Sequence, residues 1–323
     1  MNKVSILVPV YGVEKFIERC VRSLMQQTYP CIEYIFVDDC SLDNSIHILK
    51  SVLSEYPEKD VRIIRHEWNK GLGTSRKTAL LASTGDYILN VDSDDYLEPD
   101  AVSLLMEEAE KTQADMVRMG CVLEWVHARK FYPALWSVDA KVYTKLLLNA
   151  STLPGICLHL IRRNLYFDYQ LFPVEGINTG EDYVLTPRLS FHANRIAYVL
   201  LPLYHYMQIN TSSYTAVFNQ EKVANLQQVA NILYNYFKGQ QDYVSALSEG
   251  MWQKKVEIML ICSHKDYPTV DKLPTWLPMR TATMNLQQKI AAPLVAHHWW
   301  YLLATYSFFY HRVFNLFQKI KGR

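Results

Sequence analysis

The sequence of 323 residues has almost no net charge, because 33 Lys and Arg are balanced by 32 Asp and Glu. A surface that binds nucleic acid needs an excess of basic residues, so this balance argues against that class of protein. No basic amino-terminal segment or small-residue cleavage site precedes the apolar run that begins at Val4. We therefore expect no signal peptide and a cytoplasmic protein.

Paired cysteines and the common phosphate-binding signatures are also missing. The six cysteines stand singly, without a CxxC pair or the spacing of metal ligands, and most lie within apolar runs. This pattern predicts buried free thiols in a reducing compartment. Neither a Walker lysine motif nor a GxGxxG motif occurs, which argues against P-loop and dinucleotide-binding proteins.

The first 115 residues do show an alternation of apolar, β-rich runs with helical patterns. It predicts an α/β fold, with a mostly parallel sheet and helices on both of its faces. Strands are predicted at residues 4–11, 32–39, 61–66 and 87–92, and Pro99 stands where a helix commonly has its first residue. The pattern is less regular over residues 116–218, and residues 219–323 are predicted to form a helical extension.

Aspartates cluster at the carboxyl ends of two of these strands. Asp38 and Asp39 end the second strand, and Asp92 ends the fourth, with Asp94 and Asp95 just beyond it. Open α/β sheets bind their ligands at this carboxyl edge. Crowded carboxylates repel one another unless a cation or hydrogen-bond donors neutralise them, and such oxygens suit Mg²⁺ or Mn²⁺. A divalent cation that bridges a diphosphate explains the cluster; the alternative is a solvated turn whose aspartates cap the next helix.

Two further stretches carry residues suited to a nucleotide. In VDDCSLDNS, one of the paired aspartates can accept a hydrogen bond from a uracil N3–H or a ribose hydroxyl, while Asp43 or Ser41 caps the next helix. In NKGLGTSRKTAL, Gly71 and Gly73 permit a close backbone approach. Arg76, one helical turn further on, can reach a phosphate or help to order the acidic cluster.

The chain resembles the family 2 glycosyltransferases of bacteria, which have the GT-A fold, in five stretches: ILVPVYGVEKFIERCVRSLMQQTYP, EYIFVDDCSLDNS, NKGLGTSRKTAL, GDYILNVDSDDYLEPD and GEDYVLTPRL. The resemblance implies an inverting transferase that moves a sugar from a nucleotide-sugar, commonly a UDP-sugar, to a hydroxyl of a glycan or lipid-linked acceptor. Cell-surface polysaccharide or glycolipid would be the product. It also implies a nucleotide-sugar-binding half at residues 1–115, an acceptor-binding half at residues 116–218 and a helical region at residues 219–323.

The resemblance assigns eight residues to the nucleotide-sugar: Pro9, Tyr11, Glu14, Asp39, Asn69, Arg76, Asp92 and Ser93. Among them, Tyr11 is expected to stack on the base and Asp39 to recognise uracil. Asp94 is implied to bind the metal, Mg²⁺ or Mn²⁺. The alternatives are that Tyr11 is a core aromatic at a strand end and that Arg76 makes an ion pair on a helix surface.

An inverting transfer also needs a general base. GED at residues 180–182 matches the Glu-Asp pair of the family, which makes Asp182 the candidate base and Glu181 a contact to the acceptor or the donor sugar. The alternative is an acidic pair that is favoured only by the dipole at the start of a helix.

Three positions depart from the family pattern. Cys40 stands where Gly is usual, Lys77 where Asn usually follows the arginine, and Met207 with Gln208 where an arginine is common. The last two departures leave the contacts to the diphosphate open. Candidates in that segment are His205, Ser212 and Ser213. A lone histidine in LYHYM is nevertheless more typical of a packed strand.

Residues 294–320 combine many aromatic side chains with a basic end at Lys319, Lys321 and Arg323. The pattern predicts an amphipathic helix, because its uninterrupted apolar part is shorter than the ~18–20 residues of a membrane span. We expect this helix to lie in the interface of the cytoplasmic membrane. The alternative is a helix packed on the catalytic domain or in the interface of a homo-oligomer.

Two other functions are left open by the sequence. A catalytically inactive nucleotide-sugar-binding partner of another transferase would not need Asp94 and Asp182, and their presence argues against it. A sugar nucleotidyltransferase also binds a nucleotide on an α/β sheet with metal-binding aspartates. VPVYGVEKF lacks the Gly-rich loop and basic signature of that class.

Overall fold

The computed structural model describes residues 1–133, 139–210 and 219–309. The chain divides into two compact units. The first unit comprises Met1–Tyr143 and Gly155–Ser212, and the second comprises Thr144–Pro154 and Ser213–Arg323. Ser212, Ser213 and the basic end of the tail, which figured in the sequence analysis, lie outside the described residues.

Within the described residues, nine strands form one sheet: β1 Val4–Val10, β2 Ile32–Asp38, β3 Asp60–Arg65, β4 Tyr87–Asn90, β5 Tyr96–Leu97, β6 Met116–Glu124, β7 Arg129–Tyr132, β8 His159–Arg162 and β9 Ile196–Met207. Their order across the sheet is β3-β2-β1-β4-β8-β6-β9-β5, and β7 pairs with β6.

The α-helices of the described ranges are α1 Ile17–Met25, α2 Ser45–Leu53, α3 Leu72–Ala82, α4 Ala101–Thr112, α5 Ala140–Leu148, α6 Arg163–Asp168, α7 Glu181–His192, α8 Gln220–Phe237, α9 Gln241–Ile261, α10 Tyr267–Val270 and α11 Leu286–Ala296. Short 3₁₀ helices span Ile156–Leu158 and His264–Asp266.

The parallel part of the sheet comes from the first half of the first unit. β1 pairs in parallel with β2 and β4, and β2 pairs in parallel with β3. Every residue of β1 and β2 is buried, as expected of strands covered by helices on both faces. The predicted α/β class is therefore confirmed. β8 pairs in the antiparallel sense with β4 and β6, so its first residue lies at the edge where β1, β2 and β4 end.

Element boundaries differ from the prediction by a few residues. β1 ends at Val10 and β4 at Asn90, which leaves Tyr11 and Asp92 in the loops of the carboxyl edge. α4 begins at Ala101 with Asp100 as its N-cap residue, so the assignment of Pro99 as the first helical residue was wrong.

The second unit is helical in its described part, as predicted. Its buried residues include Leu233 and Phe237 of α8 and Leu247 and Met251 of α9. A capping box begins α11, where Asn285 and Gln288 bond each other's backbone N–H groups and so satisfy two otherwise orphaned donors. No helix within the described ranges is both long and apolar enough to cross a bilayer.

The described part of the tail, residues 300–309, is also helical. Leu303 and Ser307, one turn apart, are buried, and the Ser307 hydroxyl donates to the carbonyl of Leu260 at 2.6 Å. Tyr301 is 85% exposed and Phe309 60% exposed. The helix is thus packed along one side and presents apolar side chains on another.

Candidate active site

One buried arginine connects two motifs that are far apart in the sequence. Arg76 of α3 is 3% exposed, and its Nη1 donates to Glu181 Oε1 at 2.8 Å and to Asp182 Oδ1 at 2.5 Å. Its Nη2 donates to Asp92 Oδ1 at 2.7 Å. The guanidinium therefore binds three carboxylates at the carboxyl edge of the sheet, and the alternative of an ion pair on a helix surface was wrong.

Burial and charge together set the protonation of this cluster. Burial works against the charge of Arg76, but Asp182, Asp92 and Glu181 outweigh it and raise the pKa of the guanidinium well above its usual value. Burial, assisted by Asp182, raises the pKa of Glu181 to about 8. Burial also raises the pKa of Asp182, although Arg76 and the backbone N–H of Ile156 act in the opposite direction. The pair therefore shares fewer than two negative charges near neutral pH.

The aspartates after β4 have different environments. Asp95 is fully buried, and its carboxylate accepts from the Tyr204 hydroxyl at 2.6 Å and from the Met207 N–H at 2.7 Å. Protein donors thus satisfy Asp95, which leaves Asp92 and Asp94 as the carboxylates facing the site. Asp94 Oδ2 accepts from the Asn210 amide at 2.8 Å, while burial and the charge of Asp92 raise the pKa of Asp94.

Asp92 and Asp94 fit a divalent cation that is shared with a phosphate ligand. In the described part of the chain, no group of three or more His, Cys, Asp or Glu side chains is arranged to hold a metal ion. Mg²⁺ does not require one, because it commonly binds one or two carboxylates together with waters and substrate phosphates. The raised pKa of Asp94 means that positive charge next to this carboxylate would stabilise its ionised form.

The residues assigned to the nucleotide lie around the ends of β1 and β2. Tyr11 is 46% exposed, so the alternative of a core aromatic was wrong, whereas Pro9 is buried within β1. Glu14 accepts from the backbone N–H of Asn44 at 3.0 Å, at the start of α2. Ser93 is buried between the two aspartates.

Asp39 orders the turn that precedes α3. Its Oδ1 accepts from the N–H of Lys70 at 2.8 Å and lies 2.7 Å from His66 Nδ1, while its Oδ2 accepts from the N–H of Gly71 at 2.8 Å. Asn69, which is exposed, also accepts from the Gly71 N–H through its Oδ1, at 3.1 Å. Recognition of uracil by Asp39 stays a prediction, since both carboxylate oxygens hold the protein's own turn.

Gly71 and Gly73 are approached closely by the protein's own chain. Gly71 has a φ of +85°, and a Cβ atom there would meet the side chain of Asn178. A Cβ atom at Gly73 would lie 2.5 Å from the carbonyl oxygen of Val174 and 2.7 Å from that of Ile177. These contacts hold the start of α3 against the loop that leads to α7, which brings Arg76 next to Glu181 and Asp182.

The structure defines the surroundings of two residues that depart from the family pattern, Cys40 and Lys77, and of His205. Cys40 has a φ of +61°, in the left-handed region that favours the usual glycine. Lys77 makes an ion pair with Glu175 at 2.7 Å. His205 is 7% exposed and stacks on Tyr96 with ring centroids 4.1 Å apart, which is the packed-strand alternative.

Residues 5–165 match the model of glycosyl transferase family 2. The chain belongs to that family. Among its relatives, the uncharacterised glycosyltransferase EpsJ of Bacillus subtilis (strain 168) is 33% identical over 223 residues, which are 66% of this chain and 63% of EpsJ. Chondroitin synthase of Escherichia coli is 43% identical over 108 residues, 33% of this chain and 15% of the synthase. The chain thus spans less than two thirds of the length of these relatives.

Solved structures extend the likeness of this family 2 chain beyond the matched segment. The crystal structure of S. aureus TarS 1-349 in complex with UDP-GlcNAc superposes with a TM-score of 0.71 at 18% identity, covering 96% of this chain and 92% of that one. At this identity the likeness establishes the fold. The GT-A fold implied by the resemblance is therefore confirmed.

Sequence reasoning missed several groups that shape the site. Asn210 and Tyr204, which bind Asp94 and Asp95, lie more than 100 residues away in sequence. The backbone N–H of Ile156, which acts on Asp182, has no side-chain signal at all. No motif could have revealed these groups, because each depends on the packing of segments that are distant in sequence.

Proposed function

We propose that this protein transfers a hexose or an N-acetylhexosamine from a UDP-sugar to a hydroxyl of a glycan or lipid-linked acceptor. The transfer inverts the configuration at the anomeric carbon. It serves the synthesis of cell-surface polysaccharide or glycolipid. The observation that carries the proposal is Arg76, which binds Asp92, Glu181 and Asp182 beside the loop of Asp94. The relative TarS, named a poly(ribitol-phosphate) beta-N-acetylglucosaminyltransferase and crystallised with UDP-GlcNAc, supports a UDP-sugar donor.

In the proposed donor complex, the exposed ring of Tyr11 stacks on the base. Asp92 is held by Arg76 at 2.7 Å, and its side chain is 26% exposed, so it can still accept from a ribose or sugar hydroxyl. Asp94 and Asp92 are the residues that would hold Mg²⁺ or Mn²⁺. A cation bound there would offset the charge of the departing diphosphate.

In the proposed reaction, the acceptor hydroxyl attacks the anomeric carbon from the face opposite the nucleotide. The new C–O bond forms as the bond to the diphosphate breaks, UDP leaves, and Asp182 accepts the hydroxyl proton. Arg76 favours the ionised form of Asp182 that this role needs. Glu181, whose pKa is raised, can donate a hydrogen bond to the acceptor or the donor sugar.

The test is UDP release from a panel of UDP-sugars, with and without EDTA, by the wild type and by Asp182→Asn. We expect EDTA-sensitive release by the wild type. The variant should bind UDP equally well but turn over at least about 10²-fold more slowly, because the amide cannot accept the proton. Equal turnover by the variant would contradict the assignment of the base. UDP binding without turnover of any donor would favour the inactive binding partner.

We also propose that the tail helix lies on an anionic membrane surface. Tyr301, Leu302 and Phe309 are each more than half exposed, while Leu303 is buried and Ser307 donates to the Leu260 carbonyl of the second unit. The sequence continues to a basic end. Exposed aromatic side chains followed by basic residues are typical of helices at the interface of anionic bilayers.

A further inference from the structure

The turn that follows β4, from Asp92 to Asp95, carries the two carboxylates assigned to a cation. The backbone N–H of Asp95 donates to the carbonyl of Asp92 at 3.0 Å, which closes these four residues into a β-turn. This bond fixes the shape of the turn, but it does not fix how the turn lies against the sheet. The positions of the Asp92 and Asp94 carboxylates therefore depend on what holds the turn from outside.

The hydroxyl of Tyr204, on β9, meets both ends of this turn. The backbone N–H of Asp92 donates to the Tyr204 oxygen at 3.2 Å, and the Tyr204 hydroxyl donates to Asp95 Oδ2 at 2.6 Å. A backbone N–H can only donate, so the phenol accepts at the first residue of the turn and directs its single proton to the last. One oxygen atom thus holds both ends of the turn.

The segment that carries Tyr204 makes two further contacts to the turn. The backbone N–H of Met207 donates to Asp95 Oδ1 at 2.7 Å, so both oxygens of that carboxylate are bound by groups of β9. Beyond the strand, the amide of Asn210 donates to Asp94 Oδ2 at 2.8 Å. β9 is itself fixed by its antiparallel pairing with β5. The turn is therefore tied to a paired strand, and Tyr204 is the side chain of that strand which reaches both of its ends.

Burial makes this junction difficult to replace. Tyr204 and Asp95 are fully buried, so bulk water does not compete for the bond between them. Without the hydroxyl, the Asp92 N–H and one oxygen of Asp95 would each lose a partner. A buried polar group without a partner is costly, and the turn would be expected to shift so that these groups regain hydrogen bonds.

We propose that Tyr204 is a positioning residue, which fixes the turn from Asp92 to Asp95 so that the carboxylates of Asp92 and Asp94 reach the same cation. The cation rests on the proposed function, whereas the hydrogen bonds of Tyr204 do not. Tyr204 holds the backbone of Asp92, while Arg76 holds its side chain. Groups that orient metal ligands without touching the metal commonly contribute about 10–100-fold to metal affinity.

The test compares variants that change one hydrogen-bonding group each. Tyr204→Phe removes only the hydroxyl, and Asp94→Asn removes a carboxylate of the proposed cation site. The matched control is Tyr87→Phe at the first residue of β4, because the buried Tyr87 hydroxyl donates to the Ala114 carbonyl at 3.0 Å, away from the turn.

The first measurement is the affinity for Mn²⁺ in the presence of UDP, from the electron paramagnetic resonance signal of free Mn²⁺. We expect Tyr204→Phe to raise the Kd for Mn²⁺ about tenfold or more, because the two carboxylates no longer converge. Tyr87→Phe should leave this Kd unchanged. If Tyr204→Phe and Tyr87→Phe lower the melting temperature alike and neither changes the Kd, the hydroxyl has a purely structural role and the proposal is overturned.

The second measurement, hydrogen exchange of the Asp92 amide by NMR, needs no metal. Tyr204→Phe should speed this exchange at least about tenfold, because the N–H has lost its acceptor, and Tyr87→Phe should not. Unchanged exchange would overturn the proposal. If Tyr204→Phe does not fold, Asp95→Asn decides by the same readout, because its amide group no longer accepts the phenol proton at Oδ2 and the phenol is released.

The two measurements also separate this proposal from the proposed function. If the wild type and Asp94→Asn bind Mn²⁺ alike, the cation of the proposed function is rejected. Faster exchange at Asp92 in Tyr204→Phe would then still support Tyr204 as the residue that fixes the turn.

Discussion

A single guanidinium, that of Arg76, decides the electrostatics of the site at the scale of residues. Three carboxylates converge on it, and burial removes the water that would otherwise screen their mutual repulsion. Loss of one partner from a buried ionic cluster is costly because the remaining charges stay uncompensated. The arginine therefore stabilises the fold and orients the candidate catalytic pair at the same time.

Arg76→Met is expected to lower the free energy of unfolding by about 3–5 kcal/mol. Urea denaturation at pH 7 measures this decrease in the free energy of unfolding. The neighbouring variant Lys77→Met is the control, because it removes an ion pair with Glu175 that is exposed to solvent. The urea concentration at the unfolding midpoint of Lys77→Met should hardly change, since ion pairs exposed to solvent contribute little to stability. Equal midpoints for the two variants would show that the buried cluster contributes no more than a surface pair.

The raised pKa of Glu181 predicts that the stability of the protein depends on pH. Its pKa rises from 4.5 to about 8 in the folded protein, so the folded state binds the proton more tightly than the unfolded state. The stability from this group is present below about pH 4.5 and is lost as pH rises through about 8. Glu181→Gln should flatten the decrease in unfolding free energy over this window. If urea denaturation gives parallel curves of unfolding free energy against pH for the variant and the wild type, Glu181 is not the group responsible for this pH dependence.

At the scale of elements, the contact between the start of α3 and the loop at residues 174–178 determines how the charged residues of the site are positioned. α3 carries Arg76, and the loop leads into α7 with its acidic pair. A side chain at Gly73 would need to share space with two carbonyl oxygens of this loop. Backbone atoms cannot turn away as a flexible side chain can, so the two elements would have to separate.

Gly73→Ala should therefore destabilise the protein, although alanine is better than glycine in a helix by about 1 kcal/mol. The control is Thr74→Ala, at a half-buried position in the same helical turn, which should be neutral or slightly stabilising. Thermal unfolding and UDP release are the measurements. If Gly73→Ala is as stable and active as Thr74→Ala, the contact between α3 and the loop can accommodate a Cβ atom at residue 73.

At the scale of the whole molecule, the chain divides its tasks between two units. Every residue assigned to the nucleotide-sugar and the chemistry lies in the first unit. The described part of the second unit is helical and includes the tail helix, whose Ser307 donates to the Leu260 carbonyl of that unit. One side of this helix is therefore packed, and the proposed membrane contact concerns the exposed side.

Binding to liposomes tests the membrane-facing side. We expect the protein to sediment with anionic liposomes more than with neutral ones, and less at high salt. The double variant Leu302→Ser and Phe309→Ser should reduce sedimentation without loss of the thermal transition, because both side chains are exposed. Leu42→Ser, at an 89% exposed leucine of the first unit, is the control. Sedimentation of the double variant at the wild-type level would exclude this face as the membrane contact.

The sequence by itself determined the α/β class, the helical nature of the described second unit and the position of the aspartates at the carboxyl ends of β2 and β4. These features follow from local periodicity and strand ends, which depend on residues close in sequence. The boundaries were less well determined, as Pro99 shows, because a cap depends on backbone geometry.

Only the tertiary structure decided which carboxylates meet Arg76 and which carboxylate is held by other donors of the protein. Arg76 meets Glu181 across 105 positions of sequence, and Asp95 meets Tyr204 across 109. Periodicity reports that a residue is buried but not which distant group it meets, because that group is fixed by strand order and by loops packed in three dimensions.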